Sequence, residues 1–147
     1  MARNRDRKQR GRSEGTREER KVLKDRELLT FSFKYLDQTQ PKKDPQSIRL
    51  WENKSLLGPL IERMKELSVL TRDEALNQQQ IKLYGDFPGN GKTEFQHPTH
   101  VEQNVPWSVI EGIGGKPRVA GFIAESTFYV VFLDSEHRFW ISKKKGT

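Results

Sequence analysis

An unbroken apolar run near the C-terminus constrains the fold of this chain more than any other feature. Residues 128–133 read FYVVFL, a short run rich in aromatic and β-branched side chains. A run of this length and composition is typical of a strand covered on both faces of a sheet. Residues 118–124, before a turn at 125–126, and residues 138–142, after a turn at 134–137, are predicted to be its neighbours. The region therefore predicts an antiparallel meander.

Two further regions bear on the sheet. Apolar and polar side chains alternate over residues 28–37, which predicts a strand with one solvated face. Glycine and proline interrupt residues 81–117 at ten positions, so we expect long loops there with at most a short strand. The expected core contacts in that region are Val105, Trp107, Val109 and Ile110.

Helix signals lie between these two regions. Apolar residues at spacings of three and four over residues 57–67 predict an amphipathic helix with Ser55 as its N-cap. Thr71 and Glu74 form the T-x-x-E pattern of a capping box, which predicts a second, short helix running towards Gln79.

These patterns together predict the fold class and the domain organisation. We expect an α+β fold, with a mostly antiparallel sheet of about four strands packed against a helix pair. With 147 residues the chain has room for one ordinary domain. Residues 27–147 are predicted to form a single α+β domain, and residues 1–26 a disordered basic tail.

The positive charge of the chain is concentrated in the N-terminal segment. Residues 1–26 hold eleven Lys or Arg and five Asp or Glu, whereas residues 27–147 hold sixteen and fifteen. A segment with this charge and hardly any apolar residue is expected to be disordered. It is either a solvated tail or an arm that binds the phosphates of a nucleic acid. Its candidate RNA-binding residues are Arg3, Arg5, Arg7, Lys8, Arg10 and Arg12.

Composition also bears on the compartment. The chain has no cysteine, which excludes a disulfide framework and a thiolate zinc site. The basic N-terminus lacks the apolar run of a secretory signal, and no stretch approaches the length of a membrane-spanning helix. We therefore expect a cytoplasmic protein without a membrane partner.

The three histidines are His97, His100 and His137. The H-P-T-H pair, with a carboxylate from Asp134 or Glu136, could ligate zinc or another divalent metal. The intervening proline keeps the first imidazole on an extended backbone, and the pair lacks a helical framework. Exposed loop histidines are therefore the favoured interpretation, and no metal or cofactor is expected.

The segment GDFPGNGKT at residues 85–93 has the glycines and the Gly-Lys-Thr ending of a phosphate-binding loop. Asp86 stands where such a loop needs its first glycine, and no buried strand before it or helix after it is predicted. A glycine-rich surface turn is the favoured interpretation.

Polar residues around the C-terminal strands offer a different chemistry. Imidazole and carboxylate groups can remove and return protons, and a guanidinium stabilises charge on a phosphate, which together permit metal-free RNA cleavage by 2′-hydroxyl attack. Arg118, His137 and Arg138 stand at adjacent strand ends of the predicted meander and are the candidate catalytic residues. The alternative interpretation is that Arg138 and Trp140 form the outward face of an edge strand.

Two blocks of the sequence carry a resemblance. FSFKYLD at residues 31–37 and PRVAGFIAESTFYVVFLDSEHRFW at residues 117–140 resemble short, uncharacterised bacterial proteins. More loosely, the order of one strand, two helices and a meander ending in His-Arg-aromatic is similar to the RelE/ParE toxin superfamily, many members of which cut mRNA on the ribosome. The matching stretches are residues 118–123, 128–133 and 137–140.

The resemblance implies a toxin-like or defence-related protein directed at RNA. It would be a metal-independent endoribonuclease with Arg118, His137 and Arg138 as active groups, and with the ribosome or an antitoxin as partner. The competing prediction is a non-enzymatic adaptor, in which residues 1–26 bind nucleic acid or an acidic partner and the body docks on another protein. A metal-dependent hydrolase that uses the three histidines is the third hypothesis.

Overall fold

The computed structural model describes residues 16–19 and 27–141. Over these residues it has an α+β architecture, in which one strand is followed by three helices and then four strands. The elements are β1 (Thr30–Ser32), α1 (Ile48–Asn53), α2 (Leu57–Leu67), α3 (Arg72–Asn77), β2 (Ile81–Gly85), β3 (Trp107–Ile110), β4 (Arg118–Ala124) and β5 (Thr127–Asp134).

The described strands form a single mixed sheet in the order β1-β5-β4-β3-β2. β1 is parallel to β5, whereas the other neighbours are antiparallel. The expected sheet of about four strands is therefore corrected to five. The extra strands, β2 and β3, lie in the glycine- and proline-rich region, where all four residues of β3 are buried despite the punctuation around them. The parallel pair arises because the helical segment carries the chain from β1 to the far edge, from which the meander returns.

The predicted last strand at residues 138–142 is wrong over its described part. Residues 138–141 form no strand, because the Asp134 carboxylate accepts hydrogen bonds from the backbone N–H groups of Arg138 and Phe139 and turns the chain after β5. The backbone N–H of Ile141 instead donates to the carbonyl of Lys92, in the long loop at residues 86–106 between β2 and β3.

The helix predictions are confirmed in part. The Thr71–Glu74 capping box is present at the start of α3. Ser55 is not the N-cap of α2, because its backbone has a φ of 57° and the helix begins after Leu56. The predicted pair also lacked α1, which Ser47 caps by accepting a hydrogen bond from the backbone N–H of Leu50.

The sheet is covered on both faces, as the apolar run predicted for its central strand. On one face, side chains of the helices such as Trp51, Leu60 and Leu67 pack with Phe128 and Val130 of β5. On the other face, the loop at residues 86–106 and the segment after β5 supply the cover, so we name it the loop-covered face. Its core residues include Phe95, Trp107, Phe132 and Phe139.

A β-bulge lies in the middle of the β4–β5 pair. Ala120 is opposite Phe132 and Gly121 is opposite Val130, so Val131 is the extra residue in β5. The bulge brings the two backbones close together at Gly121, where an added Cβ would lie 1.9 Å from the carbonyl oxygen of Tyr129. Only glycine fits at this position.

Most of the predicted N-terminal tail lies outside the described residues. All of its candidate RNA-binding residues also lie outside the described residues. The disorder of the tail and its phosphate-binding role therefore stay predictions. Residues 16–19 are described, and they are helical and exposed. In the part of the chain that the structure describes, none of the helices has the length and apolar character to cross a bilayer.

Candidate functional site

A cleft of about 570 Å³ lies at the end of the sheet where β4 begins and β5 ends. We name it the sheet-end cleft. Arg118 and Asp134 are partners in the β4–β5 register, so the strand ends of the predicted site do meet at this place. The residues that line the cleft are Asp44, Gln46, Leu50, Lys54, Lys116, Glu136 and Arg138.

Glu136 is the carboxylate at the centre of the charges in this cleft. Lys54 donates to its Oε1 at 3.0 Å and Lys116 to its Oε2 at 3.2 Å. The hydrogen bonds from these two ammonium groups lower the pKa of Glu136 from its ordinary value. About two fifths of each of the Lys54 and Glu136 side chains is exposed, so an anion from solution can compete for the ammonium groups.

The turn that carries Glu136 and His137 is fixed from inside the protein. Asp134 is buried, and its Oδ1 and Oδ2 accept hydrogen bonds from the backbone N–H groups of Arg138 and Phe139 at 2.9 and 2.8 Å. Burial raises the pKa of the Asp134 carboxyl despite these two bonds. His137, between these residues, has a φ of 58°, in the left-handed region.

A second buried side chain supports the same turn. The Oε1 of Gln46 accepts a hydrogen bond from the backbone N–H of Ser135 at 2.9 Å and another from the indole N–H of Trp51 at 3.0 Å. Gln46 is only 1% exposed, so these bonds are shielded from water. Through Gln46, helix α1 determines where the turn after β5 sits.

Arg138 lines the cleft, but its guanidinium is already bonded. It donates to the carbonyl oxygens of Lys43 and Asp44 at 2.8 and 2.9 Å. Its Nε lies 3.5 Å from a carboxylate oxygen of Glu94, on the other side. Arg138 therefore joins the loop before α1 to the long loop. It gives the cleft a positive charge, but most of its N–H groups are already used within the protein.

Arg118 is similarly occupied. Its Nη1 donates to the carbonyl oxygens of Gly115, Lys116 and Pro117, and its Nε lies 3.5 Å from Glu111. The cleft lining includes Lys116 but not Arg118. Arg118 thus orders the turn at residues 115–117, which presents Lys116 to the cleft.

The other two histidines lie among different neighbours. His97 packs edge-on against the rings of Phe87 and Trp107 on the loop-covered face. His100 bonds through Nε2 to the carbonyl of Tyr35 at 2.9 Å. Among the described residues, no group of three or more His, Cys, Asp or Glu is placed to hold a metal ion.

Sequence reasoning missed five of the residues that line the cleft, which are Asp44, Gln46, Leu50, Lys54 and Lys116. Lys116 is two positions before Arg118, so a search for cations around the candidate arginine would have found it. Lys54 and Gln46 carry no comparable signal, because only the packing of the α1 region against the end of β5 brings them here. The segment at residues 85–93 begins at the end of β2, an antiparallel edge strand, and no helix follows it within residues 86–106, so it lacks the parallel strand and the helix that frame a phosphate-binding loop.

Comparison of the chain with protein-family models, with curated proteins and with solved structures gave no match. The chemistry of the sheet-end cleft therefore has to be inferred from its own side chains.

Proposed function

We propose that this protein acts on RNA as a toxin-like or defence-related protein and cleaves it at the sheet-end cleft without a metal ion. The observation that carries the proposal is the grouping of Lys54, Lys116 and Arg138 around Glu136 in one concave surface, with His137 next in the chain. Cations around a carboxylate and an imidazole are the groups that 2′-hydroxyl attack on a phosphodiester needs.

The roles follow from the contacts of each group. A phosphate of the RNA replaces Glu136 as the partner of Lys54 and Lys116, which neutralise its charge. The released Glu136 carboxylate takes the proton of the 2′-hydroxyl, the 2′ oxygen bonds to phosphorus, and the bond from phosphorus to the 5′ oxygen breaks. His137 is next to Glu136 in the chain but is not among the residues that line the cleft, so its side chain turns toward the bound RNA to give a proton to the departing 5′ oxygen. Arg118 positions Lys116 through the turn at residues 115–117, and Arg138 positions the cleft wall at residues 43–44.

The test is cleavage of labelled mRNA, alone and with translating ribosomes, in the presence of a chelator. We expect Glu136→Gln and His137→Ala each to lower the rate by roughly 10²-fold or more. Glu52→Gln is the matched control, because Glu52 is exposed on α1 and does not line the cleft. Intact RNA with the folded wild-type protein in both settings would exclude the nuclease, and so would full activity in both site variants.

The bonding of the two arginines favours a second candidate, the non-enzymatic adaptor. The guanidinium groups of Arg118 and Arg138 already donate to backbone carbonyls, and each Nε lies 3.5 Å from a carboxylate oxygen, as in structural arginines. In this hypothesis residues 1–26 bind nucleic acid or an acidic partner, and the body docks on another protein such as an antitoxin. Deletion of residues 1–26 would then abolish binding, whereas His137→Ala would change nothing. If the protein is a nuclease, cleavage of RNA should survive the deletion of residues 1–26 and should be abolished by His137→Ala.

A cytoplasmic location in a bacterium belongs to the same proposal, since the RelE/ParE-like proteins that the chain resembles act on ribosomes. A fluorescent fusion of the full chain, compared with a ribosomal marker, tests it. Location outside the cytoplasm would contradict it.

A further inference from the structure

A second concave surface lies at the other end of the sheet. It has a volume of about 360 Å³ and is situated beside the β4–β5 hairpin, where β4 ends at Ala124. We name it the aromatic pocket. The lining residues that concern its chemistry are Tyr35, His100, Glu102, Asn104, Phe122 and Tyr129. The volume is in the range of small-ligand sites, roughly 300–1,000 Å³.

One wall of the pocket consists of three aromatic rings in mutual contact. Phe122 and Tyr129 are stacked with their centroids 5.2 Å apart, and Tyr35 packs against them at 5.6 and 5.3 Å. Phe122 is 7% exposed, whereas both tyrosines are half-buried and present part of their surface to solvent. Such a wall offers a further flat ring the offset or edge contacts that aromatic groups prefer.

The rim of the pocket is polar. Glu102 and Asn104 are exposed and supply a carboxylate and an amide. His100 lies over Tyr35 with ring centroids 6.4 Å apart, and its Nε2 faces the Tyr35 carbonyl oxygen. Because a carbonyl only accepts, Nε2 is the donor in this contact. The rim therefore offers several acceptors beside a stacking surface.

We propose that the aromatic pocket binds a nucleobase that carries an exocyclic amino group. The base stacks on the two tyrosines, as bases do on aromatic side chains in single-strand binding sites. Glu102 accepts hydrogen bonds from the amino group, and Asn104 pairs with the neighbouring edge atoms. Uracil presents carbonyl oxygens at these positions, which the Glu102 carboxylate repels. The proposal goes beyond RNA cleavage and does not depend on it.

The base can come from single-stranded RNA or from a free nucleotide. β4 has seven residues, so the pocket and the sheet-end cleft are separated by about 20 Å along the strand. A mononucleotide cannot reach both surfaces, whereas an RNA strand can. Binding of the two kinds of ligand therefore distinguishes the two sources.

The test is calorimetric titration of the full chain with CMP, AMP, GMP, UMP, ribose 5-phosphate and a short single-stranded RNA rich in cytosine. We expect a probe with an amino-bearing base to bind at least about tenfold more tightly than UMP or ribose 5-phosphate. Glu102→Gln and Tyr129→Leu should each weaken that binding by about tenfold or more. Glu102→Gln is the safer variant because Glu102 is exposed, and Glu52→Gln is its matched control.

Each outcome decides the proposal. If Glu102→Gln lowers the affinity for the RNA and the mononucleotides do not bind, the base belongs to RNA. If Glu102→Gln lowers the affinity for a mononucleotide, the base belongs to a free nucleotide. Both results support the pocket. Measurable binding of UMP and CMP with equal affinity, an affinity for the RNA and the mononucleotides that is unchanged in Glu102→Gln, or no binding of any base-bearing probe overturns it. The titration does not use cleavage as its readout, so failure of the nuclease proposal leaves it intact.

Discussion

Asp134 is buried at the end of β5, and each of its carboxylate oxygens accepts one backbone hydrogen bond from the turn that follows. Gln46 bonds to the same turn from the side of α1. The Asp134 carboxyl and the Gln46 amide do not need to touch a substrate to affect the site, because they hold the turn that carries Glu136 and His137 in place. At the scale of single residues, the cleft is thus shaped by buried acceptors and charged by exposed lysines.

Replacement of Asp134 tests this arrangement through stability. Asp134→Ala leaves the backbone N–H groups of Arg138 and Phe139 without their acceptor, so we expect the free energy of unfolding to fall by about 2–4 kcal/mol. Urea unfolding followed by tryptophan fluorescence measures it. Asp86→Ala is the control, because Asp86 is exposed in the long loop, and it should change the value by less than about 0.5 kcal/mol. Equal effects of the two variants would show that the Asp134 bonds contribute nothing.

The same carboxyl predicts a pH dependence. Burial raises the pKa of Asp134 above its ordinary value of 3.8, so the folded protein binds this proton more tightly than the unfolded chain does. The part of the stability that comes from this tighter proton binding is therefore fully present below 3.8 and is lost as the pH rises through the folded-state pKa, whereas the two backbone hydrogen bonds to the carboxyl oxygens remain. Wild type should lose stability relative to Asp134→Asn over that rise, in urea titrations at a series of pH values. A gain with rising pH would contradict the assignment.

At the scale of elements, the β4–β5 pair organises both concave surfaces. Its register places Arg118 and Asp134 at the sheet-end cleft, and its hairpin end, with Ala124 opposite Thr127, beside the aromatic pocket. The bulge at Val131 directs two consecutive side chains, Val131 and Phe132, to the loop-covered face. Apolar residues on both sides of β5 are therefore accommodated without strict alternation.

Gly121 is the element-scale prediction. In Gly121→Ala the new Cβ would lie 1.9 Å from the carbonyl oxygen of Tyr129, so the strands must separate at the bulge. We expect a loss of roughly 3 kcal/mol or more in the free energy of unfolding, measured by urea titration. Gly89→Ala is the matched control, because nothing lies within 4 Å of its added Cβ, and it should be nearly neutral. A neutral Gly121→Ala would mean that the bulge is not as close-packed as described.

At the scale of the whole molecule, charge and structure are separated along the chain. Residues 27–147 carry a net charge of only +1, whereas residues 1–26 carry +6. Among the described residues of the body, six lysines and arginines lie within ion-pair distance of a carboxylate, including those at Glu136 and Glu111. Non-specific affinity for RNA is therefore expected to come from the N-terminal segment and local recognition from the body.

Salt dependence tests this division. Deletion of residues 1–26 should weaken binding to single-stranded RNA and reduce the slope of log affinity against log salt by about 0.7 for each phosphate that the segment neutralises. Fluorescence anisotropy at several salt concentrations measures the slope. Lys42→Gln, an exposed lysine of the body, is the control and should leave the slope nearly unchanged. An unchanged slope after deletion would show that the body alone binds the RNA phosphates.

Local patterns predicted much of the fold. The run at residues 128–133 and the T-x-x-E box predicted β5 and α3, because burial on both faces and capping depend on residues close in sequence. The Ser55 cap was wrong because Ser55 follows the C-cap of α1 with a left-handed backbone and its N–H donates to the carbonyl of Glu52. The last strand was wrong because the Asp134 carboxylate turns the chain after β5. β3 was hidden because its four residues stand between glycine- and proline-rich loops.

By itself the sequence determined the fold class, the buried strand and the separation of the basic tail from a nearly neutral body, because composition and short-range spacing encode these properties. Only the tertiary structure decided that β1 lies parallel to β5, and that Lys54 meets Glu136 from 82 positions away. Those contacts depend on how the helical segment crosses the sheet. That crossing is set by the packing of apolar side chains remote in sequence, which no local pattern specifies.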